Sequence, residues 1–159
     1  MFGMVSGVSN APVDPVSIEH ATWRDLNLLR RIEKACFPKD AWPLLDLIGV
    51  LTLPNVVRLK AMVDDDMAGF IAGDVRRSED LSWISTVCVS PEYRERGIGT
   101  RLMNAFEQRV EVSQIRLSVR ASNWEAIRLY ERLGYRRFGI WPRYYADGED
   151  ALVFEKNRG

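Results

Sequence analysis

The sequence predicts one α/β domain built on a mixed, mostly antiparallel sheet with helices on both of its faces. Three observations support this fold class. The predicted elements follow the order β-α-α-β-β-β-α-β-α-β-β, consecutive hairpins occur early, and helical crossovers connect the later strands. Hairpins produce antiparallel pairs and helical crossovers permit parallel ones, so a sheet with both connections is mixed.

The first half of the domain places two helices between strands. Residues 16–22 alternate well enough for a short strand, and Thr22 can cap the helix that follows. Two prolines in CFPKDAWP end that helix, and residues 44–51 predict a second, shorter one. Residues 56–63 and 67–75 then form a hairpin around three consecutive aspartates.

The second half alternates strands and helices before a final strand pair. Residues 81–89 are rich in β-branched side chains and predict a strand, which leads through a glycine turn into an amphipathic helix. Residues 115–120 alternate between an apolar and a polar face. In SNWE we expect Ser122 to cap the next helix, with Glu125 completing a capping box and Gly134 ending the helix. The last two strands are residues 135–140 and 151–156.

Composition limits the classes of function. Lys and Arg together number 22 and so do Asp and Glu, which gives a net charge of zero over 159 residues. This balance argues against a general nucleic-acid or anionic-membrane binder, so any anion site must be local. One histidine and two cysteines are too few for an ordinary zinc cluster, and we expect no metal. Cys36 and Cys88 have apolar neighbours, and we interpret both as buried free thiols.

The N-terminal segment is predicted to be a tail. Residues 1–13 lack the positive start and long apolar core of a secretory signal, so we expect a flexible tail before one domain at residues 14–159. No apolar run reaches the ~18 residues that a membrane span needs. We therefore expect a cytoplasmic protein without a membrane or nucleic-acid partner, and the sequence leaves monomer and dimer open.

The turn RERGIGTRL at residues 94–102 combines two glycines with three arginines at the start of a helix. A helix N-terminus offers unpaired N–H groups and the positive end of the helix dipole, and glycine lets a phosphate approach those donors. Arg94, Arg96 and Arg101 add positive charge. A tight turn without a ligand would need the same glycines, so this pattern alone leaves both interpretations open. The P-loop pattern is absent, and Leu102 stands where the dinucleotide fingerprint needs glycine.

Two motifs resemble those of the GNAT acetyltransferases. VCVSPEYRERGIGTRLM is similar to the family's acetyl-CoA signature, [Q/R]-x-x-G-x-[G/A], which falls here at residues 94–99. VRASNWEAIRLYERLGY, at residues 119–135, is similar to the family's other motif, N-x-x-A-x-x-[L/F]-Y-x-x-x-G-[F/Y]. The likeness covers nearly the whole chain after about residue 15. It implies the GNAT fold and an enzyme that transfers an acetyl group from acetyl-CoA to an amine.

The resemblance assigns a cofactor site residue by residue. It implies that the strand amides at Val87, Cys88 and Val89 bind the pantetheine arm, and that amides of the glycine turn bind the diphosphate. It also implies a cofactor contact for Asn123, and for Tyr130 both a cofactor contact and the role of general acid to the leaving thiolate. The turn residues are Arg94, Glu95, Arg96, Gly97, Ile98, Gly99 and Thr100. Asn123 and Tyr130 also have structural interpretations, as a helix-start residue and a core aromatic.

Two stretches narrow the resemblance to the RimI-type protein N-terminal acetyltransferases: RASNWEAIRLYERLGY and RYYADGEDALVFEK. The resemblance implies that Tyr144 and Tyr145 lie near the acceptor peptide. One departure concerns the general base, because bacterial RimI-type enzymes usually carry a glutamate where this chain has Ser118. A histidine used by some archaeal relatives would fall near Trp83. Our candidate base is Asp40, in the loop after the first helix, although an exposed aspartate without a role fits the sequence as well.

The absence of a glutamate at position 118 affects which kind of amine the enzyme can acetylate. An α-amino group with a pKa near 7.7–8.0 needs about 1 kcal/mol to be neutral at pH 7, whereas a lysine side chain needs roughly 4.6 kcal/mol. A site without an obvious base therefore serves a protein N-terminus more easily than a lysine. The sequence favours direct attack by such an N-terminus on acetyl-CoA in a ternary complex, with a ribosomal protein among the candidate acceptors.

Two alternatives remain at this point. One is an acetyltransferase for a small amine, such as a polyamine or antibiotic, which the acidic stretch at residues 147–150 would attract. The other is a non-catalytic module that only binds acetyl-CoA. The sequence also leaves open whether Trp42, Trp83 and Trp141 line the acceptor pocket or fill the core.

Overall fold

The computed structural model describes residues 15–159, and the predicted tail at residues 1–13 lies outside this range. Within it, one sheet contains β1 (Val16–His20), β2 (Val56–Val63), β3 (Asp66–Arg76), β4 (Leu81–Val89), β5 (Gln114–Arg120), β6 (Arg136–Trp141) and β7 (Ala151–Asn157). The helices are α1 (Leu26–Cys36), α2 (Leu44–Thr52), α3 (Ile98–Val110) and α4 (Trp124–Arg132). The strand order across the sheet is β1-β2-β3-β4-β5-β7-β6. The predicted element order and mixed α/β class are confirmed.

β4 and β5 form the one parallel pair in the described sheet, and all other neighbouring strands are antiparallel. Their pairing joins only residues 81–84 to residues 114–117. β3 stays paired with β4 as far as Val89, and β7 stays paired with β5 as far as Arg120. The register between β3 and β4 leaves Ser85 as an extra residue, and such a bulge bends its strand. The last parts of β4 and β5 therefore separate, which opens a gap within the sheet.

Two hydrophobic cores cover the two faces of the sheet. α3 and α4 pack on one face, and α1 and α2 pack on the other. Along β5, Ile115, Leu117 and Val119 are buried in the α3–α4 core, so strand alternation turns Arg116 and Arg120 to the opposite face. In the described chain, the α1–α2 core contains residues of β2, β3 and β4 but none of β5, β6 or β7. On this face, polar and aromatic side chains therefore cover the part of the sheet that β5, β6 and β7 form.

The structure confirms the predicted cap before α1 but not the one predicted for α4. Thr22 closes the expected cap, forming a capping box with Asp25 over a short 3-10 turn before α1. At α4 the prediction that Ser122 is the cap is wrong. Asn123 is the N-cap, and its Oδ1 accepts a 3.2 Å hydrogen bond from an amide of the first turn. The amide of Ser122 donates to Glu149 instead, so the helix begins one residue later than expected.

No helix among residues 15–159 has the length and apolar character that crossing a membrane requires. In the same part of the chain, no three His, Cys, Asp or Glu side chains are grouped as metal ligands would be.

Candidate active site

The gap leaves one backbone edge of β4 without a strand partner beyond Ile84. The amide of Ser90, just past β4, donates to the carbonyl of Ala68 on the β3 side. Because backbone groups alternate between the two edges of a strand, the N–H groups of Val87 and Val89 point to the gap. An extended ligand arm placed there can pair with these amides as an added strand would. This is the place where the resemblance implies that pantetheine binds.

A cavity of about 650 Å³ lies at this gap, and we call it the gap cavity. Its walls are the end of α1, the end of β4, the glycine turn with the start of α3, and one side of α4. Most of the residues predicted to bind the cofactor line it. They are Val87, Cys88, Val89, Arg94, Glu95, Gly97, Ile98, Gly99, Thr100, Asn123 and Tyr130. The structure therefore brings together two motifs that are separate in sequence.

The glycine turn has the backbone shape of an anion site. Glu95 and Gly97 have positive φ angles of 65° and 75°, and Gly97 is the N-cap of α3. A Cβ built on Gly97 would meet nothing within 4 Å, so the backbone there is open to the gap cavity. Left-handed residues in a turn can direct successive amides to one side, and the first amides of α3 have no partner within the helix. The turn therefore fits the diphosphate of a nucleotide-containing cofactor.

Positive charge in the gap cavity comes partly from residues that sequence reasoning missed. Arg94 lines the cavity, and its Nε donates a 3.1 Å hydrogen bond to the last carbonyl of β4. The guanidinium of Arg96 lies over a neighbouring tyrosine ring, 5.3 Å from its centroid, and neither Arg96 nor Arg101 is in the cavity wall. Arg128 and Arg132, one turn apart on α4, form part of that wall instead. Their four-residue spacing within the second motif was the available signal.

Tyr130 belongs both to the α3–α4 core and to the wall of the gap cavity. Its side chain is 5% exposed, and its ring centroid lies 6.2 Å from that of Tyr135 and 6.4 Å from that of Phe154. Burial raises the pKa of the Tyr130 phenol above its usual range, so the phenol keeps its proton at neutral pH. The two interpretations from the sequence are therefore compatible, because a core ring carries a protonated hydroxyl beside the cavity.

Four aromatic side chains form a continuous row on the opposite face of the sheet. This aromatic row consists of Trp83, Trp141, Tyr144 and Tyr145, with consecutive ring centroids 5.7, 5.2 and 5.1 Å apart. Trp83 lies in the last part of β4 that still pairs with β5, so the row begins where the gap opens. Trp141 and Tyr144 are 39% and 56% exposed, which makes the row an accessible surface. Trp42, by contrast, packs against the α1–α2 core.

Arg120, at the end of β5, joins this row to two loops. Its Nε and Nη2 donate to the two carboxylate oxygens of Asp40, each at 2.7 Å, in the loop between α1 and α2. Its Nη1 donates to Asp147 at 2.9 Å and to Glu149 at 2.7 Å, in the loop between β6 and β7. Its guanidinium also lies over the Tyr145 ring, 4.1 Å from the centroid. We call Asp40, Arg120, Asp147 and Glu149 the Arg120 cluster, and no local sequence pattern distinguishes its central residue.

Comparison with known proteins decides the family. Residues 25–135 match the sequence profile of the Acetyltransferase (GNAT) family, a range that includes the glycine turn and α4. The chain belongs to the GNAT acetyltransferase family. The GNAT fold and the acetyl-CoA-dependent N-acetyltransferase activity expected from the sequence are therefore confirmed.

Several proteins similar to this GNAT enzyme have names that state which amine or protein they acetylate. It is 30% identical over 154 residues to the N-alpha-acetyltransferase RimI of Mycobacterium tuberculosis, covering 94% of this chain and 97% of the relative. It is 31% identical over 149 residues to the catalytic subunit NAA10 of the N-terminal acetyltransferase A complex of Arabidopsis thaliana, covering 89% and 78%. The crystal structure of the ribosomal-protein-S18-alanine N-acetyltransferase from Escherichia coli matches with a TM-score of 0.83 at 26% identity, covering 91% and 95%.

The gap cavity fits the acetyl-CoA that a GNAT enzyme uses. The amides of Val87 and Val89 face the gap, where they would hold the extended arm, and the open backbone at Gly97 would hold the diphosphate. Arg94 and the two α4 arginines supply charge of the right sign. The individual roles of these residues stay predictions.

The carboxylates of the Arg120 cluster are engaged by one guanidinium, and this changes two expectations. Asp40, our candidate base, accepts hydrogen bonds from Arg120 at both carboxylate oxygens, so this carboxylate is already engaged. It also lies outside the wall of the gap cavity. We therefore no longer propose Asp40 as the base. Asp147 and Glu149, expected in one alternative to attract a cationic small amine, are paired with the same Arg120.

Two ionisable side chains at the end of α1 stand out, one in the cavity wall and one buried. Cys36 was expected to be buried, but it is partly exposed, lines the cavity and donates a 3.3 Å hydrogen bond to Val89 O. Glu33, one turn earlier on α1, is 1% exposed, and neither of its carboxylate oxygens has a hydrogen-bond partner among the described residues. Burial raises the pKa of Glu33 to about 7. In sequence Glu33 is one polar residue of an amphipathic helix, so nothing there distinguished it.

Proposed function

We propose that this acetyltransferase acts on the N-terminal α-amine of a protein. The proposal rests on one observation: the aromatic row and the Arg120 cluster together border the gap on the face opposite α3 and α4. A peptide whose first residue enters the gap would lie along the row, between the two loops that Arg120 joins. Aromatic rings provide rigid apolar contact with polar edges, which suits a peptide chain. A small amine would use only a part of such a surface.

The chemistry of the amine supports the same acceptor. An α-amino group has a pKa near 7.7–8.0, so a usable fraction is neutral at pH 7 without a dedicated base. Ser118, which replaces the glutamate usual in bacterial RimI-type enzymes, lies on the face of β5 that carries Arg116 and Arg120. With Asp40 held by Arg120, water is the simplest acceptor for the amine proton in this proposal.

Catalysis in this proposal depends mainly on positioning. Acetyl-CoA supplies the acetyl group as a thioester. The N–H groups of Val87 and Val89 at the gap can polarise a carbonyl oxygen placed there, and Tyr130 can give its proton to the departing sulfur. The bond from the amine nitrogen to the acetyl carbon forms as the carbon–sulfur bond breaks, so no acyl-enzyme is needed.

The names of relatives support the acceptor class. The relative from Mycobacterium tuberculosis is named an N-alpha-acetyltransferase, and the one from Arabidopsis thaliana is the catalytic subunit of an N-terminal acetyltransferase complex. The solved structure from Escherichia coli is that of an acetyltransferase for the alanine of ribosomal protein S18. A ribosomal protein N-terminus is therefore among the acceptors to test first.

The testing experiment measures acetyl transfer from acetyl-CoA to paired substrates by mass spectrometry. Each peptide with a free N-terminus is matched by the same peptide with a blocked N-terminus and an internal lysine, and polyamines and aminoglycosides complete the panel. We expect acetylation of free peptide N-termini only. The peptides differ in their first two residues, so the ones that are acetylated also show which N-terminal residues the aromatic row favours.

Acetylation of only the small amines, or of the blocked lysine peptides at an equal rate, would contradict the proposal. An Arg76→Leu variant serves as a control, because Arg76 pairs with Asp74 and Glu79 on an exposed surface away from the gap. This variant should retain the substrate pattern of the unaltered enzyme.

A further inference from the structure

Cys36 and Cys88 are distant in sequence but meet at the wall of the gap cavity. Cys36 is the last residue of α1, Cys88 lies in the part of β4 that borders the gap, and both line the cavity. Cys88 belongs to the α1–α2 core, and Cys36 packs against that core. Cys36 Sγ donates to the carbonyl of Val89, the residue next to Cys88. Two free thiols are therefore neighbours at a cavity that has no redox role in acetyl transfer.

The two thiols differ in their surroundings as a reactive pair does. Cys36 is partly exposed to the cavity, and its interaction with the Cys88 side chain, together with nearby Arg94, lowers the pKa of Cys36 despite burial and the charge of Glu33. Cys88 is buried, and its interaction with Cys36, together with burial, raises its pKa well above the usual range. Cys36 is thus the more accessible and more acidic thiol, and Cys88 is positioned to react second.

We propose that Cys36 and Cys88 are an oxidation site, at which a peroxide forms a reversible disulfide that weakens the binding of acetyl-CoA. The Cys36 sulfur attacks one peroxide oxygen, the O–O bond breaks, and Cys36 becomes a sulfenic acid as one water leaves. The Cys88 sulfur then attacks the Cys36 sulfur and a second water leaves, carrying the thiol hydrogen. Two thiols and one hydrogen peroxide thus give one disulfide and two waters, and an external dithiol reverses the change.

The disulfide would act on the cavity through its own wall. In the reduced protein, Val89 O accepts hydrogen bonds from both Cys36 and Arg94, and the bond from Cys36 holds the end of β4 beside the end of α1. A disulfide removes the Cys36 donor and draws the end of α1, with the cavity residue Phe37, toward β4. Binding and oxidation are then linked. If the disulfide lowers the affinity for acetyl-CoA, bound acetyl-CoA disfavours the disulfide by the same factor.

The experiment treats the purified full chain with hydrogen peroxide, with and without saturating acetyl-CoA, and digests it with trypsin without reduction. We expect the chain to lose two hydrogens and the fragments at residues 35–39 and 78–94 to be linked, since these contain the two cysteines. The Kd for acetyl-CoA should rise roughly tenfold, a coupling typical of linked sites. A dithiol should restore it, and acetyl-CoA should slow the oxidation.

Single variants identify the order of events. Cys88→Ser should leave a sulfenic acid on Cys36 that a dimedone probe captures, whereas Cys36→Ser should leave Cys88 unmodified. Both thiols remaining free after peroxide, a link only between two chains, or an unchanged Kd after linkage would each overturn the proposal. The Kd of the reduced protein for acetyl-CoA, measured first, tests the cavity itself. A failed acetyl-CoA site and a failed thiol switch are therefore distinguishable.

Discussion

The two sides of the gap between β4 and β5 are constructed in different ways. In the gap cavity, the proposed contacts to the arm and the diphosphate of acetyl-CoA come from backbone groups of the end of β4, the glycine turn and the first turn of α3, which follow one another in the chain. The other side, which we propose as the acceptor side, presents side chains, with the aromatic row and the Arg120 cluster drawn from three strands and from loops far apart in sequence. One side therefore depends on backbone shape and the other on side-chain identity.

This difference separates the constant part of the reaction from the variable part. Substitution by any residue except proline keeps the backbone amide, so the acetyl-CoA side changes mainly where a new Cβ would intrude or a helix would move. The acceptor side can be altered by any one of several side chains without disturbing the sheet, which is how one fold serves different acceptors. Variants on the two sides should accordingly change different kinetic constants.

The largest effect should come from Tyr130→Phe, which removes one hydroxyl from the acetyl-CoA side. General acid catalysis contributes roughly 100-fold or more, so we expect kcat to fall by about that factor while the KM for acetyl-CoA changes little. The ring contacts with Tyr135 and Phe154 remain possible, so the melting temperature should stay close to that of the unaltered enzyme. Steady-state kinetics with a free-N-terminus peptide measure both constants.

Tyr135→Phe is the matched control for this variant. Tyr135 also carries a buried hydroxyl, which donates to Glu107, but it does not line the gap cavity. Its loss should reduce stability and leave kcat unchanged. An equal decrease of kcat in both variants would assign Tyr130 to the core alone.

Arg120→Leu should have the next largest effect, confined to the acceptor side. Without Arg120 the loop that contains Asp40 and the loop that contains Asp147 and Glu149 lose their common hydrogen-bond donor. Misplacement of a substrate by about 1 Å can cost 100-fold in rate, so we expect kcat/KM for the peptide to fall between roughly tenfold and 100-fold. The KM for acetyl-CoA should be unaffected.

Arg120→Lys sharpens this test, because lysine keeps the charge but cannot form the paired hydrogen bonds of a guanidinium. It should restore only part of the peptide activity. A change in the KM for acetyl-CoA that equals the change for the peptide would show that the two sides are not separate.

Gly97→Val should have a smaller effect, on the acetyl-CoA side only. At φ 75° a valine is strained, and its side chain would occupy open space where the diphosphate is expected to bind. A hydrogen bond to a charged group is worth about 1.5–3 kcal/mol, so losing one should raise the KM for acetyl-CoA at least about tenfold. Gly134→Val is the control, since Gly134 has a φ of 92° but lies outside the cavity wall. It should lose stability without losing affinity for acetyl-CoA.

The same contrast explains what the sequence could predict. The strands, the helices and most of the acetyl-CoA side follow from local patterns, because the glycine turn and α4 are contiguous motifs. The acceptor side could be predicted only in part. Tyr144 and Tyr145 were expected there, but nothing local indicates that Arg120 contacts Asp40, which is 80 positions away. The start of α4 was misplaced for a similar reason, since Ser122 is engaged by Glu149 from another loop.

Glu33 is buried on α1 and lines neither side, so it tests whether stability can be separated from activity. Its pKa is raised from an ordinary 4.5 to about 7 by burial, so the folded chain holds a proton that the unfolded chain has released. The folded state therefore loses stability as the pH rises from 4.5 to 7, and the loss is complete above pH 7. A shift of this size corresponds to about 3 kcal/mol.

The side chain in Glu33→Gln is neutral at every pH, so this variant should not lose stability between pH 4.5 and pH 7 for this reason. We expect the melting temperature of the variant, relative to that of the unaltered chain, to increase between pH 4.5 and pH 7 and to stay level above pH 7. A difference of about 3 kcal/mol corresponds to roughly 6–12 °C for a domain of this size. A difference in melting temperature that is the same at pH 5 and pH 8 would mean that Glu33 is solvated or paired in the folded protein. Because Glu33 lies outside the cavity wall, kcat of this variant should stay close to that of the unaltered enzyme.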